Sequence, residues 1–276
     1  MSLRIASNIS SLQAQRNVSN TFADKNANIR KMAAGSRIVD AKDDAAGLAI
    51  SAKLNSQIRS KRMADRNTSE GISFMQMAEG GLNEISSSLT RLRELAIQAA
   101  TDTYSNLERE LINTEYLEMR KEVQRIAEST AYGGTFLLNG DGKLFDFQVD
   151  INNNKLKDRI TFDSSETDTT IQALNIHNLD VATAHGARQS LENIDKAINK
   201  VSKQRASLGG YQNRLTSTTN NLKVSDEHQS SAHSRIKDLD FAIETADLAK
   251  NNIKEEAGMS LLAQANIQGQ TALKLL

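Results

Sequence analysis

Residues 75–99 read MQMAEGGLNEISSSLTRLRELAIQA. Met75, Ala78, Leu82, Ile85, Leu89, Leu92, Ala96 and Ala99 recur at alternating steps of three and four, so all eight share one face of an α-helix and form a packing seam. A second seam runs through Ile112, Tyr116, Met119, Val123 and Ile126. A third runs through Leu191, Ile194, Ile198 and Val201 and resumes in register at Leu208, Leu215 and Leu222. No proline interrupts any of them, and the remaining positions are largely good helix formers. The seams predict three long helices packed side by side, and hence a mainly α fold. Between the first two, Ser105 and Glu108 fit a capping box, which predicts a tight antiparallel connection.

The composition agrees with seams rather than one large globular core. Of 276 residues, 38% are hydrophobic and only 4% aromatic, with no Trp, Cys or Pro. The apolar surface is therefore supplied mainly by Leu, Ile and Ala. Without cysteine there is no disulfide, thiolate metal site or Cys nucleophile. The longest apolar runs are far below the ~18–20 residues needed to span a bilayer, and the N-terminus lacks a signal-peptide core, so neither membrane insertion nor cleavage of a leader is expected.

After Ile126 the period changes from helical to two. Phe145, Phe147 and Val149 alternate with polar residues, as do Ile160 and Phe162. This predicts a small antiparallel β region at about residues 134–165. Gly133-Gly134 is expected to end the helix, and Asn139-Gly140-Asp141-Gly142 to form a hairpin turn between strands at 136–139 and 143–150.

Both ends carry roughly helical apolar stripes: Ile5, Ile9, Leu12, Phe22 and Ile29 near the start, and Leu239, Ile243, Ile253, Leu261 and Leu262 near the finish. Neither stripe buries enough surface to offset the entropy of ordering its segment. The ends are expected to order only against each other or against further copies of the chain. Lys plus Arg equals Asp plus Glu at 34 each, so no overall field attracts nucleic acid. The charge is unevenly placed, however: residues 1–62 carry eleven basic and four acidic side chains, and residues 100–185 carry eight basic and fifteen acidic ones. Such asymmetry suits the orientation of identical subunits against one another.

The residues give little support to catalysis. His228 and His233 are five apart and do not share a helix face, and Leu137 and Gln148 stand where a calcium loop needs carboxylates. No phosphate-cradling glycine motif or nucleophile elbow is present. The Asp43-Asp44 pair is read as a helix cap rather than an acid–base pair. Together with Arg37, Asp40 and Lys42 it is expected to form a joint between domains and a subunit contact. Neither an enzymatic activity nor a cofactor or metal is expected.

Six segments carry a resemblance to a known family. They are AAGSRIVDAKDDAAGLA at 33–49, DRNTSEGI at 65–72, LTRLRELAIQA at 89–99, SLGGYQNRL at 207–215, SRIKDLDFA at 234–242 and LAQANIQGQTALKLL at 262–276. Together these resemble bacterial flagellin, the self-assembling subunit of the flagellar filament. The chain departs from the family in having no proline near Gly269. The resemblance implies an inner domain of residues 1–42 and 232–276, in which the terminal helices pair in the filament core through the apolar residues named above. It implies an outer domain of residues 43–231 holding the three seamed helices and the β region, with no large surface domain.

As partners the resemblance implies a homopolymer, an export chaperone on the C-terminal helix, the filament cap, hook-junction proteins and the host innate flagellin receptor. It implies a secreted, extracellular location reached without a cleaved signal peptide. A hook–filament junction protein shares the terminal pattern, and periodicity alone also fits an intracellular coiled-coil binding module. Off the first seam, Arg91, Leu95 and Gln98 form an i, i+4, i+7 stripe, placing Leu95 away from the main packing line. This stripe, with Glu115 on the following helix, resembles the flagellin segment used both between subunits and by the receptor.

Overall fold

In the computed structural model, residues 8–274 are described, with side chains described through residue 267. Five helices dominate: α1 (Ile9–Ala34), α2 (Ala45–Ala100), α3 (Asn106–Ser129), α4 (Ala184–Lys237) and α5 (Phe241–Lys274). Between α3 and α4 lie four short strands, β1 (Ala131–Tyr132), β2 (Thr135–Phe136), β3 (Leu144–Gln148) and β4 (Arg159–Asp163), followed by a single 3₁₀ turn. The chain divides into two compact units, one of residues 1–56 with 228–276 and the other of residues 57–227.

The second unit holds the apolar core. Every residue of the seam from Met75 to Ala99 is fully buried, as are Tyr116, Val123, Ile194, Val201, Leu208 and Leu215 from the other two. Ile112, Met119 and Ile126 pack against this core while partly covered. The capping box is formed: the Ser105 side chain accepts from the Glu108 amide, and the Glu108 carboxylate accepts from the Ser105 amide at 2.7 Å. The strands dock through aromatic rings. Phe74 of α2 lies 4.8 Å from Phe145, 5.4 Å from Phe147 and 5.9 Å from Phe162 between centroids, and Phe162 meets Tyr211 of α4 edge-on at 5.5 Å. Gly71 makes room for this layer, since a Cβ there would sit 3.1 Å from the Phe147 ring.

The β region differs in detail from its sequence signal. β3 pairs antiparallel with β4, Phe145 opposite Phe162 and Phe147 opposite Ile160, but the tight hairpin is β1–β2 and it turns at Gly133-Gly134. Both glycines have positive φ, 58° and 81°, as a two-residue hairpin turn requires. Asn139-Gly140-Asp141-Gly142 is instead a connection. The reason lies in the residues before it, because Leu137 and Leu138 are drawn into the core and their backbone is committed to Thr130, Thr167 and Thr169. Segment 136–139 therefore has no edge left to offer a strand at 143–150.

In the first unit α1 and α5 run antiparallel. Asn8 caps α1, its side-chain oxygen accepting from the Ser11 amide at 3.0 Å while its Nδ2 donates to the Ala265 carbonyl at 2.8 Å. Gly35, at φ 61°, ends α1. The chain then runs beside residues 236–239, with the Arg37 amide donating to the Lys237 carbonyl at 2.8 Å and the Leu239 amide to the Gly35 carbonyl at 3.2 Å. The Asp240 side chain caps α5 by accepting from the amides of Ala242 and Ile243.

Candidate functional site

The pairing of α1 with α5 has an unexpected chemistry. The residues of α1 turned toward its partner are Ser11, Ala14, Val18, Thr21, Lys25 and Asn28, at alternating steps of three and four. Those of α5 are Leu248, Asn251, Glu255, Gly258, Leu262 and Ala265, again at steps of three and four. This is a coiled-coil seam of mostly small and polar side chains, with Val18, Leu248 and Leu262 as its larger apolar members. At its centre Lys25 Nζ donates to Glu255 at 2.8 Å, with both side chains more than two-thirds covered. No residue of α1 is buried.

Apart from Leu248 and Leu262, the large apolar residues of the same helices stay outside the seam. Ile9, Leu12, Phe22 and Ile29 on α1, and Ile243, Ile253 and Leu261 on α5, are all exposed, from 45% at Ile29 to 67% at Ile253. Leu239 and Leu262 are half-covered, and Ile5 lies outside the described residues. The structure therefore brings the two terminal helices together but leaves most of the apolar stripe uncovered within the chain. Two helices that pair through a largely polar seam thus leave an apolar surface uncovered on their backs.

The segment from Arg37 to Asp44 is a hydrogen-bonded connector within the first unit. The Arg37 guanidinium donates twice to the Ile236 carbonyl, at 2.8 and 3.2 Å, satisfying a carbonyl at the end of α4. Asp43 accepts from the amides of Val39 and Asp40, and the bond from Asp40 holds its carboxyl below the usual value. Asp44 caps α2: its side chain accepts from the Gly47 amide at 2.7 Å and its carbonyl from the Leu48 amide at 2.9 Å. Lys42 lies 3.6 Å from Asp40 at the surface.

Of the stripe on α2, Arg91 and Gln98 are exposed and Leu95 is not. Arg91 donates from Nε and Nη2 to Glu115 on α3, at 3.0 and 2.7 Å, and from Nη1 to Glu94. These bonds, Glu115 first, raise the affinity of the guanidinium for its proton. Gln98 reaches the Tyr104 hydroxyl. Leu95, expected away from the packing line, is 1% exposed and belongs to the core. Leu92, Leu95, Ala96 and Ala99 are all buried, so the helix is covered over a wider arc than one seam.

Arg109 stands outside every apolar seam of the sequence. It is almost fully buried, and it donates to the Ala99 carbonyl at 3.0 Å and the Thr101 carbonyl at 2.9 Å, tying the start of α3 to the end of α2. Its place one turn after the capping box was the available signal. Among the described residues no helix is long and apolar enough to cross a membrane, and no group of three His, Asp or Glu side chains is placed to hold a metal ion.

Comparison with known proteins finds a match at each end of the chain. Residues 5–143 match the family model described as the bacterial flagellin N-terminal helical region, and residues 191–276 match that of the C-terminal helical region. A flagellin of Bacillus subtilis is 38% identical, the alignment covering 99% of this chain and 100% of that one. A flagellin of Halalkalibacterium halodurans is 36% identical with 98% of each covered. The crystal structure of Bacillus cereus flagellin superposes with a TM-score of 0.51 at 27% identity, covering 57% of this chain and 88% of that one.

Proposed function

This chain belongs to the bacterial flagellin family, and on that premise we propose that it assembles through the uncovered apolar backs of α1 and α5. As a structural subunit of the flagellar filament it forms a homopolymer. Each subunit brings a paired α1–α5 whose polar seam is satisfied internally, and neighbouring subunits cover what that seam leaves out. One observation supports this most: side chains as large as Phe22 and Ile253 are exposed on helices whose mutual contact is made largely by small and polar residues, with Val18, Leu248 and Leu262 among them. Relatives of near-equal length, all flagellins, do not favour a hook–filament junction protein or an intracellular binding module.

The finer assignments extend the same reading. Subunits pass out through the flagellar export channel without a cleaved signal peptide. An export chaperone shields the apolar back of α5 before assembly, and the filament cap and the hook-junction proteins receive the same terminal helices at the two ends of the filament. Residues 37–44, which connect α1 to α2 within the first unit, form a contact with the adjoining subunit. Arg91, Gln98 and Glu115 form a surface used by the adjoining subunit and by the host innate receptor, with Leu95 supporting it from beneath.

Phe22→Glu and Ile253→Glu test the assembly surface. Each places a charge on an exposed face, so monomer helicity and melting should stay as in wild type, while polymerisation should fail because burying an unpaired charge costs several kcal/mol. Wild-type polymerisation by both would show that this face is not used.

A further inference from the structure

Asn139 is the only asparagine of the chain that is followed by glycine. The pair lies in the connection between β2 and β3, outside every helix and strand. Most other asparagines lie on helices, where each amide is held by the carbonyl one turn back. Here, among the described residues, nothing accepts from the Gly140 amide or from Nδ2 of Asn139. The side-chain oxygen of Asn139 accepts from the Asp141 amide at 3.3 Å, which folds the carboxamide back toward the peptide that joins it to Gly140. The same bond draws electron density from the Cγ carbon. Gly140, at φ 73°, brings no side chain to obstruct an approach to it.

Both ends of this connection are fixed. Leu137 and Leu138 are fully buried, and the Leu138 carbonyl accepts from the Thr169 amide at 3.0 Å. On the far side the Lys143 amide donates to Ser164 Oγ at 2.9 Å, and the Lys143 carbonyl accepts from the Ser164 amide at 3.1 Å. Gly140 lies tight against Asp168, since a Cβ on it would sit 2.5 Å from that carboxylate. The span therefore has little room for another backbone atom, or for a further negative charge beside Asp141 and Asp168.

We propose that Asn139 is a site of spontaneous deamidation, a covalent modification that proceeds in the folded protein and loosens the connection from Leu138 to Lys143. The Gly140 nitrogen bonds to Cγ of Asn139 as its proton passes to solvent. The bond from Cγ to Nδ2 breaks, and Nδ2 takes up a proton and leaves as ammonia. Water then opens the resulting succinimide at either carbonyl. Opening at Cγ restores the main chain and leaves isoaspartate's counterpart, an ordinary aspartate, only when the Cγ carboxyl is freed; opening at the main-chain carbonyl leaves isoaspartate, whose backbone runs through the side chain and is one methylene longer. Either product adds a carboxylate next to Asp141 and Asp168, and the second also lengthens a span that is pinned at both ends. Water is the sole co-reactant, so the extent of conversion records the age of a subunit. The site goes beyond the assembly reading and does not depend on it.

The intact folded chain, held warm for days at neutral to mildly alkaline pH, provides the test. The tryptic peptide of residues 126–143 should gain the mass that separates acid from amide, placed at residue 139 by fragmentation, before any other asparagine converts. The rate should rise with pH, because the deprotonated amide is the attacking group. Brief trypsin treatment of the native chain should cut after Lys143 sooner in aged than in fresh protein. The Asn139→Ser variant, which cannot close the ring, should be cut no faster after ageing. Asn139 remaining intact in the folded chain would overturn the proposal, and its conversion in the same chain unfolded in urea would then show that the fold shields it. Conversion that leaves cleavage after Lys143 unchanged would overturn its effect on the connection.

Discussion

Gly258 of α5 lies directly against Val18 of α1: a Cβ at residue 258 would sit 2.9 Å from Val18 Cγ2. The close approach explains how a seam of Ser, Ala, Thr and Asn side chains brings two helices together. The packing distance at Gly258 is set by its missing side chain, and most of the bulky groups are left for the outside.

Gly258→Ala should therefore weaken the α1–α5 pair by about 1–3 kcal/mol through overpacking, although alanine is the better helix former. Adding Val18→Ala should recover most of the loss. Circular dichroism of the monomer and protease resistance of its ends would measure both. An unchanged Gly258→Ala protein would mean that the two helices do not meet here.

Leu95 separates folding from recognition. Leu95→Ala should cost about 2–5 kcal/mol because it empties a core site, and should lower the melting temperature of the second unit. Arg91→Ala removes an exposed, solvent-screened ion pair and should leave melting nearly unchanged. If the Arg91 and Glu115 surface contacts a receptor, Arg91→Ala and Gln98→Ala should weaken binding without loss of fold, as titration against the receptor ectodomain would measure.

Glu108 ties stability to acidity. The amide and hydroxyl of Ser105 donate to its carboxylate, which holds its carboxyl below the ordinary value. A carboxyl with a lowered folded pKa stabilises the protein above its unfolded value of about 4.3, and that stabilisation is lost as pH falls through the lower folded value. The melting difference between wild type and Glu108→Ala should be constant at neutral pH and shrink below about pH 4. A difference that persists at low pH would show that the carboxylate is not responsible.

Gly47, in the first turn of α2, follows the same logic as Gly258. A Cβ there would lie 2.3 Å from Asp44 Oδ2 and 2.8 Å from Cδ1 of Ile38, itself 2% exposed. Gly47→Ala should disturb the Asp44 cap and increase tryptic cleavage after Arg37 and Lys42, despite a helix-propensity gain of about 1 kcal/mol. Unchanged cleavage would mean that the connector tolerates the displaced cap.

The seam from Met75 to Ala99 and the Ser105–Glu108 box were legible in the sequence because each depends on spacing within one element. The hairpin turn falls at Gly133-Gly134 although Asn139-Gly140-Asp141-Gly142 carries the stronger local signal. What decides against it is the burial of Leu137 and Leu138, a tertiary event. The burial of Leu95 is hidden for a similar reason, since one seam does not show how many neighbours cover a helix. The apolar stripes of the two ends were readable as stripes. That the helices meet through Val18, Lys25, Glu255 and Gly258 instead was not, because a polar or glycine position carries no signal of burial by itself.

A cryo-microscopy map of filaments polymerised from this chain bears most directly on the assembly surface. Phe22 and Ile253 should be buried against neighbouring subunits, with the Lys25–Glu255 pair and the Val18–Gly258 contact retained inside each subunit. A map in which Phe22 and Ile253 face solvent, or in which α1 and α5 of one subunit have turned to pack these side chains on each other, would contradict assembly through the uncovered backs of the terminal helices.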